Sequence, residues 1–258
     1  MKITHPKLTV AFTLMLGAIG NLHAEESKLS TLGCMLEPSK KVSVSSPVPG
    51  VLDKVAVKRG DTVKKGQVLF RLKAGVEFEQ VQLVKAKADF AERKAKRNKA
   101  LYKDDILTMH ERDEIETELV IAKTELSLRV EELNLRTVKS PIKGVVVNRL
   151  NNKGEYVNVE PVMELATLDP LHIDLLLPAS YFGQISKGQD LMIKPESSLI
   201  QERAAKVIIV DPLIDPASGT FRVQLKMKNP GSKIPAGISC TAQTITKSDK
   251  PAKIAKHQ

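Results

Sequence analysis

The sequence predicts an α+β protein that is mostly β and elongated. In it, a small β-sandwich is split by an antiparallel coiled-coil α-hairpin and followed by a small β-barrel. Three observations support this prediction: a short motif occurs twice, a helical stretch separates the copies, and the final third is rich in Gly, Pro and short β-forming runs. With only 3% aromatic residues and no Trp in 258 residues, several small modules with thin cores are favoured over one large globule.

The repeated motif matches six pairs of residues, each pair 94 positions apart. The pairs are Ser46/Ser140, Pro47/Pro141, Gly50/Gly144, Gly60/Gly154, Asp61/Glu155 and Val63/Val157. At Gly50 and Gly144 we expect a tight bend or a positive φ, and each copy reads as a small β-meander. A unit of about 30 residues buries too little surface to stand alone. We therefore expect residues 45–73 and 138–169 to pack face to face as one sandwich.

Residues 74–137, between the two copies, have helical periodicity. Apolar or small residues recur at alternating three- and four-residue spacing, which gives one seam on each of two helices. The seams are Val81, Val84, Ala88, Ala91 and Ala95, then Ile115, Leu119, Ala122, Leu126 and Leu133. The first helix is basic and the second begins acidic, which supports antiparallel pairing. The break lies near residues 103–108, where polar residues can cap the second helix.

Residues 170–246 return to a β pattern punctuated by Gly and Pro, as expected for a small β-barrel. One short helix is predicted over residues 179–185, with Ser180 as a possible cap. The predicted strands are 171–177, 189–193, 204–210, 221–227 and 238–245.

The sequence predicts a secretory signal at the N-terminal end of the chain and a polar tail at the C-terminal end. Residues 1–24 resemble a secretory signal, with a basic start, an apolar run and the small residue Ala24 before a cleavage point. The run is short for a membrane span, and an uncleaved anchor is the alternative. Residues 25–44 are expected to join the barrel, and residues 247–258 to form a basic tail.

The residues encode no chemistry that we can identify. The five His residues are scattered, and no phosphate loop, nucleophile elbow or paired carboxylate is present. We therefore predict neither an enzyme nor a cofactor. The net charge of +10 could indicate nucleic-acid binding, but the basic residues are spread out and few aromatic residues lie among them. Solvated lysines are the favoured interpretation, and no nucleic-acid partner is expected.

The motif Ser-Pro-x-x-Gly-Val, followed by Gly-Asp-x-Val and Gly-Gln-x-Leu, resembles one half of a biotinyl/lipoyl domain. In carrier proteins of that kind a turn bearing a modified lysine joins the halves. Lys73 lies near that place, but no Met flanks it and the helical insertion follows. A lipoyl-like domain split by a hairpin is similar to the periplasmic adaptor, or membrane fusion protein, family of tripartite efflux pumps. A carrier modified on Lys73 remains the alternative.

The resemblance implies partners and a location. It implies an adaptor in the periplasm, associated with the inner membrane, which links a transporter of the resistance-nodulation-division type to an outer-membrane channel of the TolC-like class. Copies of the adaptor would form a ring. From the short polar C-terminus we expect a full membrane-proximal domain to be absent or vestigial, so the way in which the transporter is engaged is not predicted.

The resemblance also implies particular residues. The family's hairpin tip carries Arg-x3-Leu-x6-Ser, which contacts the channel, and Arg97, Leu101 and Thr108 have that spacing here. In the adaptor fold the segment before the lipoyl-like domain returns to the barrel, which would make Cys34 and Cys240 neighbours. Paired strands lie about 4.8 Å apart, within reach of a disulfide in an oxidising compartment. We predict that bond, and two buried unpaired thiols are the alternative.

Overall fold

The computed structural model describes residues 29–103 and 108–244. The signal segment 1–24 and the basic tail 247–258 lie outside the described residues. The fold is mostly β with two long helices, which confirms the predicted fold class. The described strands are β1 (Gly33–Ser45), β2 (Gly50–Val55), β3 (Thr62–Val63), β4 (Val68–Leu72), β5 (Thr137–Lys139), β6 (Gly144–Arg149), β7 (Tyr156–Val157), β8 (Pro161–Pro178), β9 (Asp190–Pro195), β10 (Arg203–Val210), β11 (Thr220–Met227) and β12 (Cys240–Thr244). The helices are α1 (Gly75–Lys103) and α2 (Met109–Asn134).

The C-terminal strands form a circuit around one apolar core. Strands pair in the order β12-β9-β10-β11-β8, and β8 also pairs with β1. The circuit closes between β1 and β12 through an isolated bridge from Met35 to Ser239, and the Leu36 N–H donates to the Ile238 carbonyl at 2.9 Å. Alternate residues of β8 point into this core, because side chains of a strand alternate between its two faces.

The predicted barrel strands are confirmed within a few residues, but two details were wrong. The strand expected at 171–177 is the second half of the much longer β8, which also serves the sandwich. The helix expected at 179–185 is a single 3₁₀ turn, Ala179–Tyr181. Its N-cap is Pro178, so Ser180 caps nothing, and Gly183 at φ 85° leaves the helical conformation two residues later.

The repeated motif builds the second β-module by exchanging strands between its copies. Strand β3 of the first copy pairs with β6 of the second, Thr62 opposite Val145. Strand β7 of the second copy pairs in the same way with β2 of the first, Tyr156 opposite Val51. The two pairings are related by the 94-residue repeat, so the copies interlock rather than only packing face to face. Their side chains share one core.

The glycines of the repeat have two different roles. Gly60 and Gly154 occupy positive φ values of 91° and 93°, as hairpin turns require. The other pair was expected to bend the chain, but Gly50 and Gly144 are absent from the positive-φ residues and lie at points of close approach instead. A Cβ on Gly144 would lie 2.3 Å from the Ala166 carbonyl oxygen.

The hairpin is a pair of helices that bury little except their mutual seam. Val81, Val84, Ala88 and Ala91 of α1 are buried, as the periodicity predicted, whereas α2 has no fully buried residue. Ion pairs of 2.5 Å between Lys94 and Glu118, and of 3.0 Å between Lys123 and Glu92, link the helices in antiparallel order. No helix within the described residues is both long and apolar enough to cross a membrane.

Candidate functional site on the hairpin

The start of α2 is fixed by a capping box. Thr108 is the N-cap, and its hydroxyl oxygen accepts from the Glu111 N–H at 3.2 Å. The Glu111 carboxylate accepts from the Thr108 N–H at 2.9 Å and from its hydroxyl at 2.8 Å. These bonds, the backbone one first, lower the pKa of Glu111. The stabilisation from the charged Glu111 carboxylate is therefore present at neutral pH and is lost as the pH falls through that lowered pKa, whereas the bond from the Glu111 N–H to the Thr108 hydroxyl does not depend on that charge.

The three residues of the predicted tip motif lie on both sides of the turn. Arg97 and Leu101 are exposed on α1, four residues apart and therefore on one face. Thr108 is exposed at the start of α2, with its hydroxyl engaged in the capping box. Residues 104–107 lie outside the described residues. Contact of these three side chains with a channel stays a prediction.

An apolar stripe runs along α1 toward Arg97, and the sequence reasoning missed it. Val76, Leu83 and Phe90 recur every seven residues, with exposed fractions of 69%, 61% and 53%. Arg97 is the next position in that series. Leu83 and Phe90 also line a groove of about 490 Å³ with Ile121 of α2. The signal that could have found it is a second seven-residue series of apolar residues, Val76, Leu83 and Phe90, beside the seam.

The two helices carry opposite charge. Helix α1 has eight Lys and Arg residues against four Asp and Glu, whereas α2 has three against eight. Only part of this charge is neutralised across the seam by the Lys94–Glu118 and Lys123–Glu92 pairs. The hairpin therefore has one basic edge and one acidic edge.

A disulfide joins the two ends of the described chain. Cys34 of β1 and Cys240 of β12 are bonded, with a Cα–Cα distance of 5.0 Å. Both are buried in the barrel core. Across the described ranges, no group of His, Cys, Asp and Glu side chains could hold a metal ion.

The fold defines a class of protein: a barrel-sandwich domain split by a helical hairpin and followed by a barrel. Residues 40–166 match the model of the CzcB-like, barrel-sandwich hybrid domain. The crystal structure of a MacA-MexA chimera with the hairpin domain of Pseudomonas aeruginosa MexA superposes with a TM-score of 0.74 at 21% identity. The match covers 86% of this chain and 80% of the chimera.

Two curated proteins are similar over much of the chain. The toluene efflux pump periplasmic linker protein TtgG of Pseudomonas putida is 24% identical over 217 residues, which is 76% of this chain and 54% of TtgG. An uncharacterised protein of Haemophilus influenzae is 22% identical over 197 residues, 76% of this chain and 51% of that protein. The chain thus spans about half the length of both relatives. Residues 40–166 are thus similar to CzcB-like barrel-sandwich hybrid domains, and the relatives support the membrane fusion protein, or periplasmic adaptor, family. These comparisons do not favour the lysine-modified carrier.

Proposed function

We propose that this chain is the periplasmic adaptor of an efflux system, without catalytic activity of its own. It would link an inner-membrane transporter of the resistance-nodulation-division type to an outer-membrane channel of the TolC-like class. The observation that carries the proposal is the split barrel-sandwich domain, which projects a long hairpin with an exposed Arg97 and Leu101 near its tip. The similarity to a protein named as an efflux pump periplasmic linker supports it.

Cross-linking in intact cells, followed by purification of the adaptor, tests the proposal. We expect one integral inner-membrane transporter and one outer-membrane channel to be recovered with it. We also expect the protein in the periplasmic fraction, processed after residue 24. Recovery of neither membrane protein, or a cytoplasmic location, would contradict the function. A lipoyl or biotinyl mass adduct on Lys73 would restore the carrier interpretation.

Reversing the tip charge should uncouple the channel from the adaptor. For Arg97→Asp combined with Leu101→Ser, we expect loss of channel cross-linking and of export. Each exposed substitution should change the free energy of unfolding by under about 0.5 kcal/mol. The matched control, Lys153→Asp with Val159→Ser, makes the same kinds of change at exposed residues outside the hairpin. Unchanged export and channel cross-linking in the tip variant would show that the tip assignment is wrong.

We further propose that copies of the adaptor form a ring in which hairpins lie side by side. Two different edges suit a head-to-tail contact, because such rings place unlike surfaces of neighbouring copies together. The basic edge of α1 would face the acidic edge of α2 in the next copy.

A charge exchange between the edges tests this arrangement. Asp113→Lys with Glu114→Lys should reduce cross-linking between adaptor copies, and so should Arg93→Glu with Lys96→Glu. Combining all four changes should restore it, because the edges are then complementary again with their signs exchanged. Added salt should weaken the wild-type contact, since charges are screened within about 10 Å at 0.1 M ionic strength. Unaltered cross-linking in both pairs would rule out the edge-to-edge contact.

A further inference from the structure

The root of the hairpin contains an arginine that joins three segments of the chain. Arg136 lies between the end of α2 and the start of β5. One terminal nitrogen, Nη1, donates to the Pro49 carbonyl oxygen at 2.9 Å, and Nη2 lies 2.5 Å from the Glu77 carboxylate in the first turn of α1. The Arg136 carbonyl accepts from the Leu72 N–H at 2.9 Å. One residue thereby holds the loop before β2, the entry to the hairpin and the exit from it.

This ion pair differs from the others of the described residues in its burial. The side chains of Arg136 and Glu77 are 23% and 20% exposed. Every other ion pair in the described ranges has at least one side chain that is 36% exposed or more. Pairs on the open surface contribute little because water and salt screen them. A less exposed guanidinium that makes two directed bonds fixes geometry more strongly.

Gly50 makes room for the guanidinium. A Cβ at this position would lie 2.8 Å from Nη1 of Arg136 and 3.2 Å from Cδ1 of Leu72. The two copies of the motif differ at this point, because only the glycine of the first copy lies against an arginine. The residue 94 positions before Arg136 is Val42, which has no charged group to offer in the other copy. In the first copy, Gly50 therefore leaves the space that the guanidinium of Arg136 occupies.

Apolar packing does not hold the hairpin at its root. Val76 and Phe78, in the first turn of α1, are 69% and 50% exposed, and Leu135 is 42% exposed. The buried residues of α1 lie further along, in the seam with α2. The direction in which the hairpin leaves the β-domain thus depends on the connecting backbone and on the side-chain bonds of Arg136.

We infer that Arg136 is a positioning residue that fixes the angle between the hairpin and the barrel-sandwich domain. Its partners are the Glu77 carboxylate and the Pro49 carbonyl oxygen, and Gly50 leaves the space for its guanidinium. The importance of this angle for export rests on the proposed adaptor function, because a hairpin must point at a channel to engage it. The angle itself is a property of the isolated protein. The two claims can therefore be tested separately.

Spin labels report the angle directly. Cysteines introduced at Lys65 in the β-domain and at Glu114 on α2, both exposed, can be labelled, since no free cysteine occurs in the described residues. The distance distribution between the labels should be narrow in the otherwise unchanged protein. Arg136→Gln, which removes the charge, and Gly50→Ala, which displaces the guanidinium, should both shift or broaden it. Arg129→Gln is the control, because it breaks an ion pair with Glu132 inside α2 and leaves the root intact.

The outcomes separate the inference from the proposed function. An unchanged distribution in both Arg136→Gln and Gly50→Ala, with folding shown by circular dichroism, would overturn the positioning role. A broadened distribution in these two variants but not in Arg129→Gln would support it. If the distribution broadens while channel cross-linking in cells persists, the positioning role stands and the dependence of the adaptor on a fixed angle is wrong.

Discussion

Replacing both Cys34 and Cys240 with Ala is expected to be the most destabilising change considered for this protein. The bond closes a loop with a sequence separation of 206 residues. Chain-entropy models give on the order of 5 kcal/mol for loops of that size, as an upper value. Both cysteines are buried in the barrel core, and the bond lies beside the Met35–Ser239 bridge where β1 meets β12. Loss of the bond should therefore loosen the closure of the barrel.

Urea unfolding of the oxidised protein, the reduced protein and the double Ala variant measures this effect. The reduced protein and the variant should unfold at similar urea concentrations, well below the midpoint of the oxidised protein. Thiol titration of the denatured, unreduced protein is the check on the bond itself. Two free thiols per chain would refute the disulfide and leave the interpretation as buried, unpaired cysteines.

The features that were predictable from the sequence depend on local patterns. The helices were placed within a few residues because a seam of small and apolar side chains has a clear period, and because polar residues near 103–108 can cap the second helix. The capping box between Thr108 and Glu111 was not predicted. The β-module was predictable because six residue pairs recur at one offset. Each of these signals lies within a short stretch of chain and needs no tertiary contact to be recognised.

The features that could not be predicted depend on contacts between distant segments. Strands β3 and β7 are two residues long, which is too short for a sequence pattern that would predict the strands with which they pair. The bonds of Arg136 reach residues 87 and 59 positions away, and many Arg and Glu residues could have paired instead. The role of Gly50 was misjudged for a related reason. A glycine in a sequence is compatible with either a positive φ or a close approach of another segment, and only the position of that segment distinguishes the two.

The two motif glycines give a prediction in which the same substitution has different costs in the two copies. Gly144→Ala places a Cβ 2.3 Å from the carbonyl oxygen and 2.9 Å from the carbonyl carbon of Ala166. Both are backbone atoms of the paired strand β8, so relief requires the β6–β8 ladder to move. Overpacking of this kind typically costs about 1–3 kcal/mol, and we expect Gly144→Ala to lie at the upper end.

Gly50→Ala is the matched control for this cost. Its closest contact is the end of the flexible Arg136 side chain, which can swing away, and the next is Cδ1 of Leu72. We expect a loss of about 1 kcal/mol, of the order of one hydrogen bond, since the guanidinium can exchange its partners for water. Urea denaturation of the two variants and the wild type measures both losses. Equal losses would show that backbone contact at Gly144 is not what distinguishes the copies. If the free energy of unfolding of Gly144→Ala lies within about 0.5 kcal/mol of the wild-type value, which is the range of neutral surface changes, β8 can move to accommodate the Cβ without loss of stability.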